Sequence, residues 1–305
     1  MQMLLSTNIR FPNLGIELKN VPSGIDVFGF WIAFYGMIIG LGMLCGWLIA
    51  QWMAKRTSQD PEIYLDFALV AIIVSVIGAR LYYVVFALDE FINDPIQIFN
   101  TRSGGLAIYG GIIGGVLSAV IYAKVKKYSF WLLADTASIG LLTGQIIGRW
   151  GNFFNREAFG KYTNGLFAMQ LDIRDVAYDF RNTIVNLQNK YEGKPDALAR
   201  ILEIRENTVL VDGVEYIQVH PTFLYESVWN LILLLILIVY TKRKRFDGEI
   251  VLLYLMGYAL GRVWIEGLRT DQLFLWNTPI AVSQLLSAII VIVCLILLVW
   301  KKRKS

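Results

Sequence analysis

The stretch GRWGNFFNREAFG, residues 148–160, closes an apolar run that begins at Phe130. It places two arginines, two asparagines and a glutamate at the end of a segment long enough to span a bilayer. Ionisable groups at membrane depth are costly and usually face a cavity, a substrate path or a partner. The composition of this stretch therefore favours a functional surface over a lipid-facing wall.

The chain as a whole has the composition of a multi-pass membrane protein. Of its 305 residues, 56% are hydrophobic, and the mean hydropathy of +0.54 exceeds that of soluble globular domains. The net charge of +4 does not indicate a nucleic-acid partner, because the basic residues form short clusters beside apolar runs, which is a topology signal. Cys45 and Cys294 lie inside such runs without metal or redox spacing, so we interpret them as packing residues.

We predict an all-α polytopic membrane protein with about seven transmembrane helices, placed at segments long and apolar enough to cross a bilayer. The predicted spans are Val27–Met53, Tyr64–Leu88, Leu106–Val125, Phe130–Trp150, Thr222–Tyr240, Glu249–Ile265 and Pro279–Trp300. Basic clusters follow spans 1, 5 and 7 and close span 3, whereas the short loops on the opposite side are poor in lysine and arginine. The positive-inside rule therefore predicts an N-terminus outside and a C-terminus in the cytoplasm.

The longest stretch between spans, residues 155–219, is predicted to be a small α+β extracytoplasmic cap between helices 4 and 5. Within it, residues 209–216 are typical of a β-hairpin because they centre on an Asp-Gly pair, and residues 195–205 have helical periodicity. We therefore divide the chain into residues 1–154 with four spans and an N-terminal outer segment, the cap, and residues 220–305 with three spans and a basic cytoplasmic tail.

Span 3 opens with six glycines between residues 104 and 115. The pairs Gly110/Gly114 and Gly111/Gly115 have the small-xxx-small spacing that lets a neighbouring helix approach closely. Two interpretations stay open, namely close helix packing and a helix start that is bent open around a lipid headgroup.

Polar residues gather at the outer ends of six predicted spans. They are Tyr35, Arg80, Tyr109, Arg149, Asn152, Asn155, Glu157, His220, Arg262 and Glu266. Arginine is suited to a bidentate grip on phosphate. Several arginines at headgroup depth therefore predict a phospholipid substrate, or another amphiphile with an anionic head.

Some of these residues also have simpler interpretations. Arg262 and Glu266 stand four residues apart and can form a structural ion pair on one helix face. Arg80 can pair with a carboxylate of another span. His220, the only histidine, can belong to a His-Pro turn that begins span 5, with Glu226 as a second acid between one and two helical turns deeper.

Four blocks of the sequence resemble the prolipoprotein diacylglyceryl transferase family. Residues 148–160 are similar to its signature GR-x-GN-[FW]-x-N-x-E-x-x-G, and residues 220–226, HPTFLYE, to its HP-x-x-LYE block. Residues 258–269, YALGRVWIEGLR, are similar to its Y-x-x-x-R-x-x-x-E-x-x-R block, and Phe34-Tyr35-Gly36 fits its early tyrosine. The blocks run from span 1 to span 6, and the family's seven-span fold with an outside N-terminus agrees with the hydropathy prediction.

The resemblance implies an enzyme of the bacterial cell membrane whose active site faces the outer leaflet. Members transfer the diacylglyceryl group of phosphatidylglycerol to the thiol of the lipobox cysteine in a prolipoprotein signal peptide; a thioether forms and glycerol phosphate leaves. The resemblance assigns phosphatidylglycerol contact to Arg149 and a second phosphate-side role to Arg262. Arg80, His220 and Gly160 are further candidates for lipid contact. The resemblance also marks as important Tyr35, Asn152, Glu157, Gly160 and Glu266.

One position departs from the family pattern. Many members carry a histidine just before the Gly-Gly pair of span 3, where this chain has Tyr109. Tyrosine, with an ordinary pKa near 10, is a poor general base at neutral pH. We expect Tyr109 to position substrate while Arg149 and Arg262 supply electrostatic stabilisation. The general base is left open among Glu157, Glu266 and His220.

Other classes of function fit the sequence less well. A transporter should carry ionisable groups near the membrane midplane, and an alcohol phosphatidyltransferase needs an aspartate-rich metal motif; the sequence has neither pattern. A non-catalytic lipoprotein-binding factor would explain an outer cap but not the arginines. We expect no metal and no cofactor. The predicted partners are phosphatidylglycerol, prolipoprotein signal peptides with a lipobox cysteine and membrane lipid, and no nucleic acid.

Overall fold

The structure is a computed structural model that describes residues 8–101, 104–176, 178–275, 278 and 280–304. The chain forms two compact units. Within the described residues, the first unit lies within 8–44, 142–237 and 252–304, and the second within 45–141 and 238–251.

The chain is mostly helical, and a long helix lies at each predicted span. The helices are α1 (Phe34–Arg56), α2 (Glu62–Phe86), α3 (Ile108–Val125), α4 (Phe130–Asn155), α5 (Ile184–Lys190), α6 (Pro195–Glu206), α7 (Thr222–Tyr240), α8 (Glu249–Glu266) and α9 (Val282–Lys304). Within the described residues, six helices are long and apolar enough to cross a membrane, as expected of a polytopic membrane protein. α8 is not among the six; it carries Glu249, Arg262 and Glu266 within 18 residues, and its crossing stays a prediction.

The predicted start of the first span at Val27 is wrong, because α1 begins at Phe34. A two-stranded hairpin precedes the helix and consists of β3 (Gly24–Val27) and β4 (Phe30–Ala33). The turn residues Phe28 and Gly29 have φ values of 53° and 84°, which no right-handed helix can accommodate. Hydropathy alone does not separate a short apolar strand from an apolar helix, so the prediction merged the two.

The remaining span boundaries differ from prediction by a few residues. α4 continues to Asn155, five residues beyond the predicted end at Trp150, so Asn152 and Asn155 belong to the helix. The predicted start of span 7, Pro279, lies outside the described residues, and α9 begins at Val282.

A five-stranded antiparallel sheet lies in the first unit. With β1 (Ile9–Phe11), β2 (Ile16–Leu18), β5 (Met169–Asp172), β6 (Val209–Val211) and β7 (Val214–Val219), the strand order is β2-β1-β5-β7-β6. The predicted hairpin at residues 209–216 is confirmed, since β6 and β7 flank an Asp212-Gly213 turn with φ values of 51° and 77°. The predicted helix at residues 195–205 is confirmed as α6.

The sheet also contains strands that the sequence did not predict. β1 pairs with β5, with Ile9 opposite Leu171. β1 and β2 thus complete a sheet whose other three strands lie beyond residue 168. Ile9, Leu171 and Ile217 are fully buried together with Leu187 and Ile204 of α5 and α6. The sheet thus includes residues outside the predicted cap, and the cap's boundaries at residues 155 and 219 and its extracytoplasmic position stay predictions.

In the second unit, α2 and α3 pack closely through glycine. A Cβ atom at Gly110 would collide with the carbonyl oxygen of Gly78 and with the Tyr82 side chain, and one at Gly114 would collide with the Val74 carbonyl. The interpretation of Gly110 and Gly114 as packing residues is confirmed.

Candidate functional site

The centre of the site is a buried carboxylate that three arginines share. Glu226 lies on α7, and its side chain is only 5% exposed. Arg149 of α4 approaches one oxygen, with Nη2 at 2.7 Å from Oε2. The other oxygen faces Nη1 of Arg262 on α8 at 3.0 Å and Nη1 of Arg269 at 3.6 Å. A buried charge must be paired to be tolerated, and these contacts pair it from three chain segments.

A second carboxylate completes the cluster. Nη2 of Arg262 lies 2.6 Å from Oε2 of Glu266, the i,i+4 ion pair that the sequence allowed, and the same oxygen is 3.8 Å from Nε of Arg269. Arg262 therefore bridges Glu226 and Glu266. The Arg262–Glu266 ion pair that the sequence allowed is therefore formed. This pairing does not by itself exclude a second role for Arg262.

Arg269 lies just beyond α8 and is held by a third acid. Its Nε and Nη2 donate to the two carboxylate oxygens of Asp271 at 2.8 and 2.6 Å. Burial raises the pKa of Asp271, but the hydrogen bonds from Arg269 outweigh burial, and the net shift is downward. Burial would lower the pKa of Arg269, and its pairing with Asp271 raises it instead. Both groups are therefore charged at neutral pH.

The cations of the cluster are more accessible than the anions beneath them. The side chains of Arg149 and Arg262 are 21% and 19% exposed, against 5% for Glu226 and Glu266. Among the described residues, no hydrogen bond reaches Nε or Nη1 of Arg149, whose Nη2 donates to the hydroxyl of Tyr258 at 3.3 Å. Arg149 thus keeps N–H donors for an incoming anion.

Helix packing positions these side chains. Ser227 of α7 donates to the carbonyl of Ile146 on α4 at 3.1 Å, and Trp229 of α7 donates through Nε1 to the carbonyl of Gly257 on α8 at 2.9 Å. A Cβ at Gly261 would overlap the Trp229 ring. The contacts of α7 with α4 and α8 therefore set the places of Arg149, Glu226 and Arg262.

The end of the signature stretch, which is the name used for residues 148–160, forms a separate amide–carboxylate cluster. Oε1 of Glu157 accepts from the side-chain nitrogens of Asn152 at 3.0 Å and Asn155 at 3.4 Å. The chain then turns through positive φ at Arg156 and Ala158. Arg156 points away from this cluster: it is buried, donates to the carbonyls of Phe154 and Val21, and lies 3.5 Å from Asp175. We therefore interpret Arg156 as a structural residue.

Gly160 connects the His-Pro turn to the Arg269 loop. Its N–H donates to the carbonyl of His220 at 2.9 Å, and it forms a β-bridge with Arg269. A Cβ at this position would collide with His220 and with the carbonyl of Leu268. Gly160 has a clear structural reason to be glycine, and its predicted contact with lipid stays a prediction.

His220 is half-buried and pairs with an aromatic residue. Its Nδ1 lies 3.1 Å from the hydroxyl of Tyr225, within hydrogen-bonding distance. Burial, aided by the charge of Lys161, lowers the pKa of His220 below its usual value near 6.5. The imidazole is therefore neutral at pH 7 and able to accept a proton.

Tyr35 packs on the signature stretch. A Cβ at Gly151 would overlap the Tyr35 ring, so the glycine of α4 lets the tyrosine of α1 lie flat on the helix. The structure thus brings Tyr35 against residues 148–160, and the tyrosine hydroxyl makes no hydrogen bond with the described residues.

Arg80 and Tyr109 belong to the second unit. Arg80 is buried and donates to the carbonyls of Ile98 at 2.7 Å, Gly104 at 3.0 Å and Gly105 at 2.8 Å, and also to that of Gln97. The open alternative of a carboxylate partner is thus replaced by backbone carbonyls, while its lipid contact stays a prediction. Tyr109 is exposed beside Tyr82, with ring centroids 6.3 Å apart.

Sequence reasoning underrated three residues of the site. The sequence predicts Glu226 only as a second acid near His220, and Tyr258 and Arg269 only as matching positions of a family block. Tyr258, Arg262 and Glu266 are spaced by four, which places them on one face of α8, and Arg269 follows three residues later, just beyond the end of the helix. That spacing was the available signal. Among the described residues, no group of three histidine, cysteine or acidic side chains could hold a metal ion.

The chain is similar in sequence to proteins that share one description. A family model described as prolipoprotein diacylglyceryl transferase matches residues 22–300. A phosphatidylglycerol--prolipoprotein diacylglyceryl transferase of Bacillus cytotoxicus is 38% identical over 301 residues, which are 99% of this chain and 96% of the relative. The protein of that name from Bacillus cereus is 36% identical with the same coverage. The one from Clostridioides difficile is 38% identical over 279 residues, 92% of this chain and 94% of the relative.

Proposed function

The chain belongs to the prolipoprotein diacylglyceryl transferase family, and we propose that it transfers the diacylglyceryl group of phosphatidylglycerol to the lipobox cysteine of prolipoproteins. The observation that carries the proposal is the buried Glu226 carboxylate, which holds three arginines, while no hydrogen bond from the described part of the chain reaches Nε or Nη1 of Arg149. Such a site suits a phosphate that gains charge during a reaction.

The reaction is a substitution at carbon. The cysteine sulfur attacks the carbon of the diacylated glycerol that is esterified to phosphate. A carbon–sulfur bond forms there while the carbon–oxygen bond to the phosphate breaks. The electron pair of that bond leaves with glycerol phosphate, and the thiol proton passes to a base. Because the thiolate is the reactive form of cysteine, the site must both accept this proton and stabilise the phosphate.

Arg149 and Arg262 stabilise the leaving phosphate in this proposal. Each is already paired with a carboxylate that fixes its guanidinium group in place. A preorganised donor costs no reorganisation when charge develops on the substrate. Glu226 and Glu266 are positioning residues, because they hold the arginines and lie beneath them. Arg269, fixed by Asp271, adds positive charge to the same cluster.

The base that accepts the thiol proton is assigned to the more accessible of the candidate residues. Glu266 is buried and occupied by two arginines, which favours a positioning role for it. Glu157 is oriented by Asn152 and Asn155, and His220 is neutral and linked to Tyr225. Either Glu157 or His220 can accept the thiol proton, and Tyr35 lines the approach to the signature stretch.

The apolar helices embed the enzyme in the bacterial cell membrane, with the N-terminus outside and the cluster on the outer-leaflet side. The basic residues at the C-terminal ends of α1, α3, α7 and α9 support this orientation. The lipid substrate then reaches the arginines laterally, and the signal peptide presents its cysteine from the same leaflet.

A transfer assay on the purified full-length protein tests the function. Labelled phosphatidylglycerol and a lipobox peptide are supplied in detergent, with a cysteine-to-serine peptide as substrate control. We expect lipid on the cysteine peptide alone, a loss of roughly 100-fold or more in Arg149→Ala, and no loss in Arg243→Ala, which removes an exposed basic residue of the α7–α8 connection. Absence of transfer by folded protein would favour a lipoprotein-binding factor, and equal loss in both variants would remove Arg149 from the site.

A further inference from the structure

The β3–β4 hairpin carries aromatic side chains that the rest of the described chain does not cover. Phe28, at the turn, is 97% exposed, and Phe30 and Trp31 are each more than half exposed. All four residues of β4 are exposed, so the strand presents both of its faces. A contiguous apolar surface of this kind marks a contact with a membrane or a partner.

The backbone conformation of the turn is unfavourable for the phenylalanine that occupies position 28. Phe28 and Gly29 both have positive φ, and Val27 pairs with Phe30 across them, which is the geometry of a two-residue turn that favours Asn-Gly. Asp26 stabilises the turn by accepting from the N–H of Gly29 at 2.8 Å. A positive φ is unfavourable for a bulky apolar residue. Phe28 therefore contributes something other than stability of the turn.

The hairpin lies directly at the start of an apolar helix. β4 ends at Ala33 and α1 begins at Phe34 with no residue between them. The N–H of Phe34 donates to the carbonyl of Ser23 at 2.9 Å, which ties the base of the hairpin to the helix. Because α1 is one of the helices apolar enough to cross a membrane, the hairpin is positioned where that helix leaves the bilayer.

Backbone chemistry limits the depth that the hairpin can reach. A two-stranded sheet has two unpaired edges, and unpaired N–H and C=O groups are not tolerated in the hydrocarbon core. Aromatic side chains, by contrast, are favoured at the headgroup level. The hairpin must therefore lie in the interface, with its side chains and not its backbone directed towards the acyl chains.

We propose that the β3–β4 hairpin is a membrane-interface anchor whose Phe28, Phe30 and Trp31 side chains enter the headgroup–acyl boundary beside α1. The partner is the lipid surface itself. The anchor fixes the depth of Tyr35, which is the second residue after β4 and packs on Gly151. The proposal rests on the membrane position of α1 and is independent of the transfer reaction.

Spin-label accessibility in proteoliposomes tests the anchor. The full-length chain, with Cys45 and Cys294 replaced by alanine, is labelled with a nitroxide at Phe28→Cys. The matched control is Leu210→Cys, since Leu210 lies on the β6–β7 hairpin of the same unit and is 73% exposed. We expect the label at position 28 to collide mainly with oxygen dissolved in lipid, and the label at position 210 mainly with an aqueous nickel chelate.

Two results would overturn the proposal. One is an aqueous profile at position 28 that equals the profile at position 210. The other is protection from both reagents, which means that protein or a signal peptide covers the hairpin. If the cysteine-free chain does not fold, photoreactive p-benzoylphenylalanine replaces Phe28 in the natural chain. Adducts with lipid then support the anchor, and adducts with protein alone refute it. Neither readout requires catalytic activity, so failure here is distinct from failure of the transfer assay.

Discussion

At the residue scale, Glu226 determines how the arginines of the site are arranged. Removing one partner from a buried ion pair leaves an uncompensated charge, which costs several kcal/mol. In this cluster Arg149 would lose the carboxylate that holds it, whereas Arg262 would keep Glu266 and Arg269 would keep Asp271. The excess positive charge would push the guanidinium groups apart and Arg149 towards solvent.

We predict that Glu226→Gln lowers transfer roughly 100-fold, because displaced catalytic groups of this kind cost about that much. The KM for phosphatidylglycerol should rise, and Glu226→Asp should restore part of the activity. Steady-state kinetics with varied lipid measures both effects. Glu249→Gln is the matched control, since Glu249 is also buried but pairs with Tyr240, outside the cluster. A loss of stability in both variants with an unchanged KM in both would contradict the positioning role.

His220 provides a pH test at the same scale. Its folded-state pKa is lowered by burial, so the unfolded chain binds the proton first as pH falls. The stability that depends on neutral His220 is therefore fully present above about pH 6.5 and is lost as pH falls through the lower folded-state value.

We predict that the single histidine signal of isotopically labelled protein titrates with a midpoint below about 6.5. Between pH 7 and 5, the unfolding temperature in detergent should fall more for the natural chain than for His220→Asn. A midpoint at or above that of a model imidazole would show that the ring is solvated or paired with an acid.

At the element scale, glycines decide how closely α2 and α3 approach. Gly110 faces the backbone of Gly78, where no side chain fits. We predict that Gly110→Ala destabilises the protein by about 1–3 kcal/mol through overpacking. Gly40→Ala in α1 is the control, because a Cβ there meets no atom within 4 Å, and it should be neutral or stabilising by about 0.5–1 kcal/mol. Thermal unfolding in detergent compares the two, and equal effects would argue against close packing.

The helices were the most predictable elements, because apolar length alone identifies a membrane span. The hairpin of β6 and β7 was predictable from its Asp-Gly pair. The β3–β4 hairpin was not, since its apolar residues continue without a break into α1 and carry the same hydropathy signal. The Glu226 cluster was only half predictable, because helix spacing aligns Arg262 with Glu266, whereas the approach of α7 and the position of Arg269 beyond α8 depend on tertiary packing.

At the scale of the whole molecule, the sheet joins distant parts of the chain. Arg10 of β1 and Gln170 of β5 are 160 residues apart and share a side-chain hydrogen bond. Pairing over such a distance leaves no local signal, so β1 could not be assigned to this sheet from sequence, and β2 joins the sheet only through β1.

We predict that Ile9→Ala destabilises the sheet by about 2–5 kcal/mol, because Ile9 is fully buried in its core. Ile16→Ala on the neighbouring strand β2 should change stability little, since Ile16 is exposed. Limited proteolysis across residues 155–219 measures the difference. Equal resistance of the two variants would mean that β1 is dispensable for the sheet.

The late pairing of β1 also has a consequence for biosynthesis. At a ribosome speed of about 5–20 residues per second, β1 waits on the order of ten seconds before β5 has been made. During that interval four apolar helices must enter the membrane, and the edge of β1 has no partner from its own sheet except β2. Maturation of this protein is therefore timed by translation, and slowing the ribosome before residue 169 would prolong the period in which the nascent N-terminus is open to proteases and chaperones.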